Sequence, residues 1–182
     1  MTAHDAGRTG RTGALLLAVS TALFLGAWLW AWVVLPADGV VQHIGPDGPD
    51  RTGSRGGLLW PLLVFGPVVV CGLHWLVAAI VRSGDGTGLN YPHKTYWLAP
   101  ERREAFRRRV VGEFDVFLAA TMLLLVVVLV EAVRVTDDPG SRSLMVPTLV
   151  AYGLFCVCWV VWLLRRSRPP ADDTRVPTRR RR

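Results

Sequence analysis

The chain has 182 residues, 51% of them hydrophobic, and a formal net charge of +7. That length suffices for one ordinary soluble domain, but the apolar residues form uninterrupted runs of about 20, the length that crosses a bilayer. A net positive charge can indicate nucleic-acid binding. Here, however, the basic residues flank the apolar runs, where anionic lipid headgroups are the nearer partner. Composition therefore favours a polytopic membrane protein and argues against a nucleic-acid-binding one.

The N-terminal part predicts a tail and a first span. Residues 1–13 are polar and rich in Gly and Thr, so we expect a disordered cytoplasmic tail. Residues 14–35 carry no charge and end with three Trp residues, which is typical of the interfacial aromatic belt. A cleaved signal peptide is the alternative, but this run is longer than a usual signal-peptide core.

Residues 36–57 are crowded with Gly, Pro and Asp, which disfavours helix and favours turns facing outward. The second span follows at 58–81. Pro61 lies in its first turn, where a missing amide costs little, whereas Pro67 should bend the helix.

The central polar segment, Asn90–Arg109, is the feature that orients the chain. Seven Lys or Arg residues fall between Arg82 and Arg109, so the positive-inside bias predicts that this segment is cytoplasmic. Pro100 and Glu101 predict a helix start, because Pro suits the first helical position and a carboxylate suits the first turn.

The remaining elements are a third span at 114–135, a tight turn at 136–143, a fourth span at 144–164 and an Arg-rich tail at 165–182. We expect the tail to be disordered, cytoplasmic and in contact with anionic lipid headgroups.

The predicted fold class is all-α: a polytopic membrane protein with four transmembrane helices arranged as two hairpins. Of the 21 Lys and Arg residues, 17 fall on one side of this arrangement and four on the other. That asymmetry predicts that both termini of this multi-pass protein are cytoplasmic. Lys94 is the only Lys among these residues, and we interpret the Arg excess as the mark of a GC-rich bacterial genome, which predicts a bacterial cytoplasmic (inner) membrane.

Ionisable residues inside spans are the default functional candidates, because charge in the bilayer is costly. For His74 we expect a neutral imidazole bonded to a neighbouring helix, with a proton relay as the alternative. Asp115 follows an Arg cluster and is expected to pair at headgroup level. Glu131 and Arg134 lie one turn apart and should pair locally.

The sequence contains no recognisable catalytic constellation, so we predict a non-enzyme with no catalytic residue, cofactor or metal. His43, Asp47 and Asp50 offer an imidazole and two carboxylates, but their spacing matches no strong metal site and such residues also build ordinary turns. The three cysteines lie within predicted spans and are interpreted as small packing residues.

Polar and aromatic residues gather in two loops, and these are the candidate interaction residues, although packing against lipid headgroups would select the same types. They are His43, Asp50, Arg51, Asn90, Pro92, Lys94, Tyr96, Trp97, Pro100, Glu101 and Arg102.

Both loops also carry a resemblance. The first contains Leu35, Pro36, His43, Gly45, Gly48, Pro49, Asp50, Arg51, Gly53, Ser54 and Arg55; the second contains Asn90, Pro92, Lys94, Tyr96, Trp97, Leu98, Pro100, Glu101 and Arg102. This pattern resembles a bacterial membrane-domain family of unknown function, whose domain also occurs in immunity and signalling proteins that protect against the sporulation-delaying toxin. The likeness extends over roughly residues 30–110, and the second loop is the more specific half.

The first loop departs from the family pattern. Its His comes one residue later than usual, Ile44 replaces a bulky aromatic residue, and Thr52 stands where a Trp is common. The resemblance implies a small multi-span protein without a settled activity, and it transfers no catalytic residue.

The functional expectation is a non-enzymatic interaction, sensing or immunity-type membrane protein, with a membrane-protein partner or a second copy of itself. The alternative is a small transporter or channel component that acts as an oligomer, which would need a polar path through the bundle.

Overall fold

The computed structural model describes residues 3–45, 48–82 and 91–169. In chain order its elements are α1 (Ala3–Val34), β1 (Val40–Gly45), β2 (Gly48–Gly53), α2 (Arg55–Leu63), a π-helical segment (Val64–Val69), α3 (Val70–Arg82), α4 (Lys94–Trp97), α5 (Pro100–Asp137) and α6 (Met145–Arg166). Helix α2, the π-helical segment and α3 follow one another without a break.

Four helical stretches are long and apolar enough to cross a membrane, which confirms the predicted all-α polytopic fold. They are Thr9–Val34, Arg55–Arg82, Pro100–Asp137 and Met145–Arg166. We call the end of the spans that carries β1 and β2 the hairpin end, and the opposite end, which carries α4 and the start of α5, the arginine end.

Helix α5 is the centre of the bundle, because α1, α3 and α6 all pack against it. Helices α1 and α5 run parallel: Gly13 meets Gly112 at the arginine end, and the Val41 amide just beyond α1 donates to Thr136 Oγ1 at the hairpin end (3.1 Å). The two predicted hairpins are thus joined through α5.

The N-terminal prediction was wrong in one respect: α1 begins at Ala3, so most of the predicted disordered tail is helical. The reason is a close approach of two helices. A Cβ added to Gly13 would lie 2.2 Å from the Gly112 carbonyl oxygen, and one added to Gly112 would lie 2.7 Å from Gly10 Cα. Small residues let membrane helices meet backbone to backbone, and α5 gives this first part of α1 a surface to pack on.

A second difference lies in residues 36–57, where the structure contains an antiparallel β-hairpin in addition to turns. Val40 and Val41 are buried, with Val40 in the same core cluster as Leu59 and Val133. β-branched residues suit strands. The hairpin therefore forms because two adjacent valines bury against the bundle.

The second span begins earlier than predicted, at Arg55, because the Ser54 hydroxyl accepts a hydrogen bond from the Gly57 amide (3.1 Å) and caps the helix. Pro61 consequently lies inside the helix and not in its first turn. Pro67 lies within the π-helical segment, and the predicted bend of the helix at this residue stays a prediction.

Candidate functional sites at the two ends of the bundle

The hairpin is anchored to the bundle by Arg55. Its guanidinium donates to the Trp32 carbonyl (2.7 Å) and the Leu35 carbonyl (3.1 Å) and lies 4.7 Å from the centre of the Trp32 ring. A cation at the C-terminus of a helix satisfies its last carbonyls and opposes its dipole. Arg55 therefore joins the end of α1 to the start of α2, which brackets the hairpin on both sides.

A buried carboxylate fixes the connection between α5 and α6. Glu131 accepts from Arg134 Nε and Nη2 (3.0 and 3.1 Å), which confirms the predicted local pair, and from the Leu144 amide (2.7 Å) at the start of α6. Arg134 also donates to the Arg142 carbonyl. One ion pair thus holds both sides of the α5–α6 turn.

A cavity of about 480 Å³, which we call the hairpin-end chamber, lies between β1, α2 and the facing ends of α5 and α6. Its apolar lining is Val41, Leu58, Val128, Ala132, Val135, Met145 and Val146; its polar lining is Gln42, His43, Glu131 and Ser143. This cavity is not predictable from the sequence, because its walls come from four separate elements.

The candidate residues of the first loop are brought together in part. His43 and Arg51 are exposed and are cross-strand partners in the hairpin, with an irregularity in the register beside them. Asp50 belongs to β2, and its side chain lies outside the described part of the structure, as does Asp47. The hairpin thus presents an imidazole and a guanidinium side by side.

The second loop serves mainly to close the arginine end. The Trp97 side chain is only 6% exposed; its indole nitrogen donates to the Ser167 carbonyl (2.8 Å) and its ring stacks on Phe106. Trp97 is therefore a packing residue; a role in interaction stays a prediction, which this burial disfavours.

Other candidates in the second loop divide by exposure. Lys94, Pro100 and Glu101 are exposed, with Pro100 and Glu101 in the first turn of α5 as predicted. Pro92 is half-buried. The Arg102 guanidinium lies 4.0 Å from the centre of the Tyr96 ring and donates to the Tyr96 carbonyl (3.1 Å). Asn90 lies outside the described residues.

Beneath this loop lies a buried charged cluster. Arg109 Nε donates to Glu113 Oε1 (2.7 Å), Arg109 Nη2 donates to the Arg166 carbonyl (2.8 Å), and Arg166 Nε lies 3.6 Å from the same carboxylate. Burial, and then the negative charge of Glu113, raise the pKa of Tyr91 to about 12. The cluster ties the end of α6 to the start of α5 and keeps the Tyr91 phenol neutral.

A second polar pair lies between α3 and α5. His74 Nδ1 is 2.6 Å from Asp115 Oδ1, with the His74 side chain 26% exposed and that of Asp115 2% exposed. The expected bond from His74 to a neighbouring helix is therefore present, and its partner is Asp115; the headgroup level of Asp115 stays a prediction. The sequence does not predict this pair, because the two residues are 41 positions apart.

No cluster of three or more His, Cys, Asp or Glu residues suited to a metal ion occurs in residues 3–45, 48–82 and 91–169. Comparison with known proteins found no matching family model, no similar curated protein and no similar solved structure.

Proposed function

We propose that the chain is a non-enzymatic, multi-pass protein of a bacterial cytoplasmic membrane that recognises a membrane protein or peptide partner at its hairpin end. Sensing of, or immunity to, a membrane-active agent is the corresponding activity. The carrying observation is that the hairpin displays His43 and Arg51 on the surface as cross-strand partners, whereas Trp97 of the second loop is buried and bonded to the Ser167 carbonyl.

The anchoring of the hairpin supports this proposal. Recognition without chemistry needs a surface held in one conformation, because a preorganised surface loses less conformational entropy on binding. Three contacts fix the hairpin and its flanking helices to the bundle. Arg55 donates to the Trp32 carbonyl, the Trp28 indole donates to the Leu59 carbonyl (2.8 Å), and the Val41 amide donates to Thr136. The resemblance of the two loops to the immunity-related domain family is consistent with the same activity.

The test is site-specific photo-cross-linking in the native cell. A photoreactive amino acid replaces Thr52, which is exposed on β2, and matched positions are Lys94 at the arginine end and Val157 on α6. We expect one defined protein adduct from position 52 alone, reduced at least fivefold by a His43→Ala, Arg51→Ala double variant. Equal adducts at all three positions, or none, would contradict recognition at the hairpin.

A small transporter or channel component that acts as an oligomer is the second candidate, favoured by the His74 and Asp115 pair inside the spans. Proteoliposomes containing the purified protein should then dissipate an imposed proton gradient, and Asp115→Asn should abolish the flux. The hairpin variant His43→Ala should leave it unchanged. Flux that survives Asp115→Asn and His74→Gln together argues against this candidate.

A further inference from the structure

The hairpin-end chamber lies at the ends of the candidate membrane spans, where we expect the hydrocarbon of a bilayer to meet its headgroups. It is bounded by the first turns of α2 and α6 and the last turns of α5, all of which are ends of spans. Its deeper walls, such as Val128 and Ala132, belong to the apolar part of α5. The chamber is therefore placed to receive a molecule that lies partly in the hydrocarbon and partly among the headgroups.

The chemistry of the lining selects an apolar occupant. Among the described side chains in the wall, Glu131 is the one carboxylate, and it already accepts from Arg134 and the Leu144 amide. A cationic ligand would therefore meet a carboxylate that is already neutralised. The surface formed by Val128, Ala132 and Val146 instead favours hydrocarbon.

The chamber also has a boundary that faces lipid. Val146 lines it and is nevertheless 71% exposed, so at that point the wall of the chamber is also the outer surface of the protein. None of the residues of α6, all of which the structure describes, is buried. Hydrocarbon can enter beside this helix without leaving the bilayer.

Its size fits the same class of occupant. The volume of about 480 Å³ falls within the range of roughly 300–1,000 Å³ typical of pockets that enclose a small organic ligand. We propose that the chamber binds one acyl chain of a phospholipid, with the ester groups of that lipid beside Gln42 and His43. This site adjoins the partner-binding surface of the hairpin at His43, but its deeper walls at Val128 and Ala132 belong to α5, so lipid labelling there tests it independently of partner recognition.

The test uses the full-length protein in nanodiscs that contain a phospholipid with a photoactivatable diazirine near the end of one acyl chain. After illumination, mass spectrometry of the digested protein locates the label. We expect the segment containing Val128 and Ala132 to be labelled at least fivefold more than the middle of α6, with saturation at one lipid per protein.

Ala132→Phe fills the chamber and should reduce this labelling at least fivefold, whereas Val130→Phe, on an exposed position of the same helix, should not. Thermal unfolding confirms that both variants are folded; should Ala132→Phe not fold, Val128→Met takes its place. Labelling of the chamber that equals labelling of α6, or that does not saturate, overturns the proposal. Retention of a peptide in the chamber in place of lipid also overturns it.

Discussion

At the scale of single residues, the contact between Gly13 and Gly112 determines how closely α1 and α5 pack. We expect Gly13→Ala to lower the free energy of unfolding by about 1–3 kcal/mol, because the added methyl group meets a backbone oxygen at 2.2 Å and cannot displace it cheaply. Gly26→Ala is the matched control, since a Cβ there meets nothing within 4 Å. Unfolding of the two variants in detergent micelles, followed by circular dichroism, measures the difference. Equal stability would show that the helices do not meet at Gly13.

The burial of Trp97 leads to a prediction at the arginine end. Trp97→Ala should lower the free energy of unfolding by about 3–5 kcal/mol, because it empties a packed site. Trp97→Phe keeps the ring contact with Phe106, loses the bond to the Ser167 carbonyl and should cost about 1 kcal/mol. Trp75→Ala is the control, because Trp75 on α3 is 63% exposed and its removal leaves no packed site empty. A stable Trp97→Ala variant would return this residue to the set of interaction candidates.

Tyr91 gives a prediction about pH. Its pKa is raised from 10.0 to about 12, so the folded state retains the phenolic proton where the unfolded state has lost it. The contribution of Tyr91 to stability is complete below pH 10.0 and is lost as the pH rises towards about 12.

The ultraviolet absorbance of phenolate checks this prediction. The difference between the titrations of the wild-type protein and Tyr91→Phe should show one step near pH 12, and the loss of stability between pH 10 and 12 should be smaller in the variant. A step near pH 10 in place of the one near pH 12 would mean that Tyr91 is exposed to water.

Residue pairs show where sequence reasoning ends. Glu131 and Arg134 were predictable as a pair because a helix places residues three apart on one face. His74 and Asp115 were not, because their meeting depends on how α3 is rotated against α5. Trp97 was predicted to be an interaction residue for a similar reason. The sequence of a short polar loop does not distinguish an exposed Trp from a buried one.

At the scale of elements, the turn between α5 and α6 depends on Glu131. Glu131→Gln removes the charge that Arg134 and the Leu144 amide share, and we expect a loss of about 1.5–3 kcal/mol in the free energy of unfolding. Glu104→Gln is the control, because Glu104 is exposed and lies 3.9 Å and 3.5 Å from Arg107 and Arg108. Exposed pairs of this kind contribute about 1 kcal/mol or less. If the two variants lose equal stability, Glu131 does not organise the turn.

The helices were predictable as elements, and the hairpin was not. Long apolar runs specify spans by themselves, because the bilayer leaves the backbone no other way to satisfy its hydrogen bonds. The residues from Pro36 to Gly57 lack alternation, and their strands form because Val40 and Val41 find a buried surface on other elements. The hairpin-end chamber could not be predicted either, because it too depends on how separate elements pack together.

At the scale of the whole molecule, the order of the spans followed from hydropathy, but the central position of α5 did not. Four apolar helices can be arranged in several ways with the same loops. The glycines of α1 and α5 select one of them, since backbone contact is open only where side chains are absent. The distribution of basic residues predicts an orientation, with the arginine end in the cytoplasm and the hairpin end outside.

Recognition at an outward-facing hairpin depends on that orientation, which single-cysteine labelling in intact cells measures directly. In a background with Cys71, Cys156 and Cys158 replaced by Ala, one cysteine is placed at Thr52 on the hairpin and, in a second variant, at Lys94; both positions are exposed. We predict that a membrane-impermeant maleimide labels position 52 in intact cells and position 94 only after lysis. Labelling of position 94 in intact cells, with position 52 protected, would contradict recognition at an outward-facing hairpin.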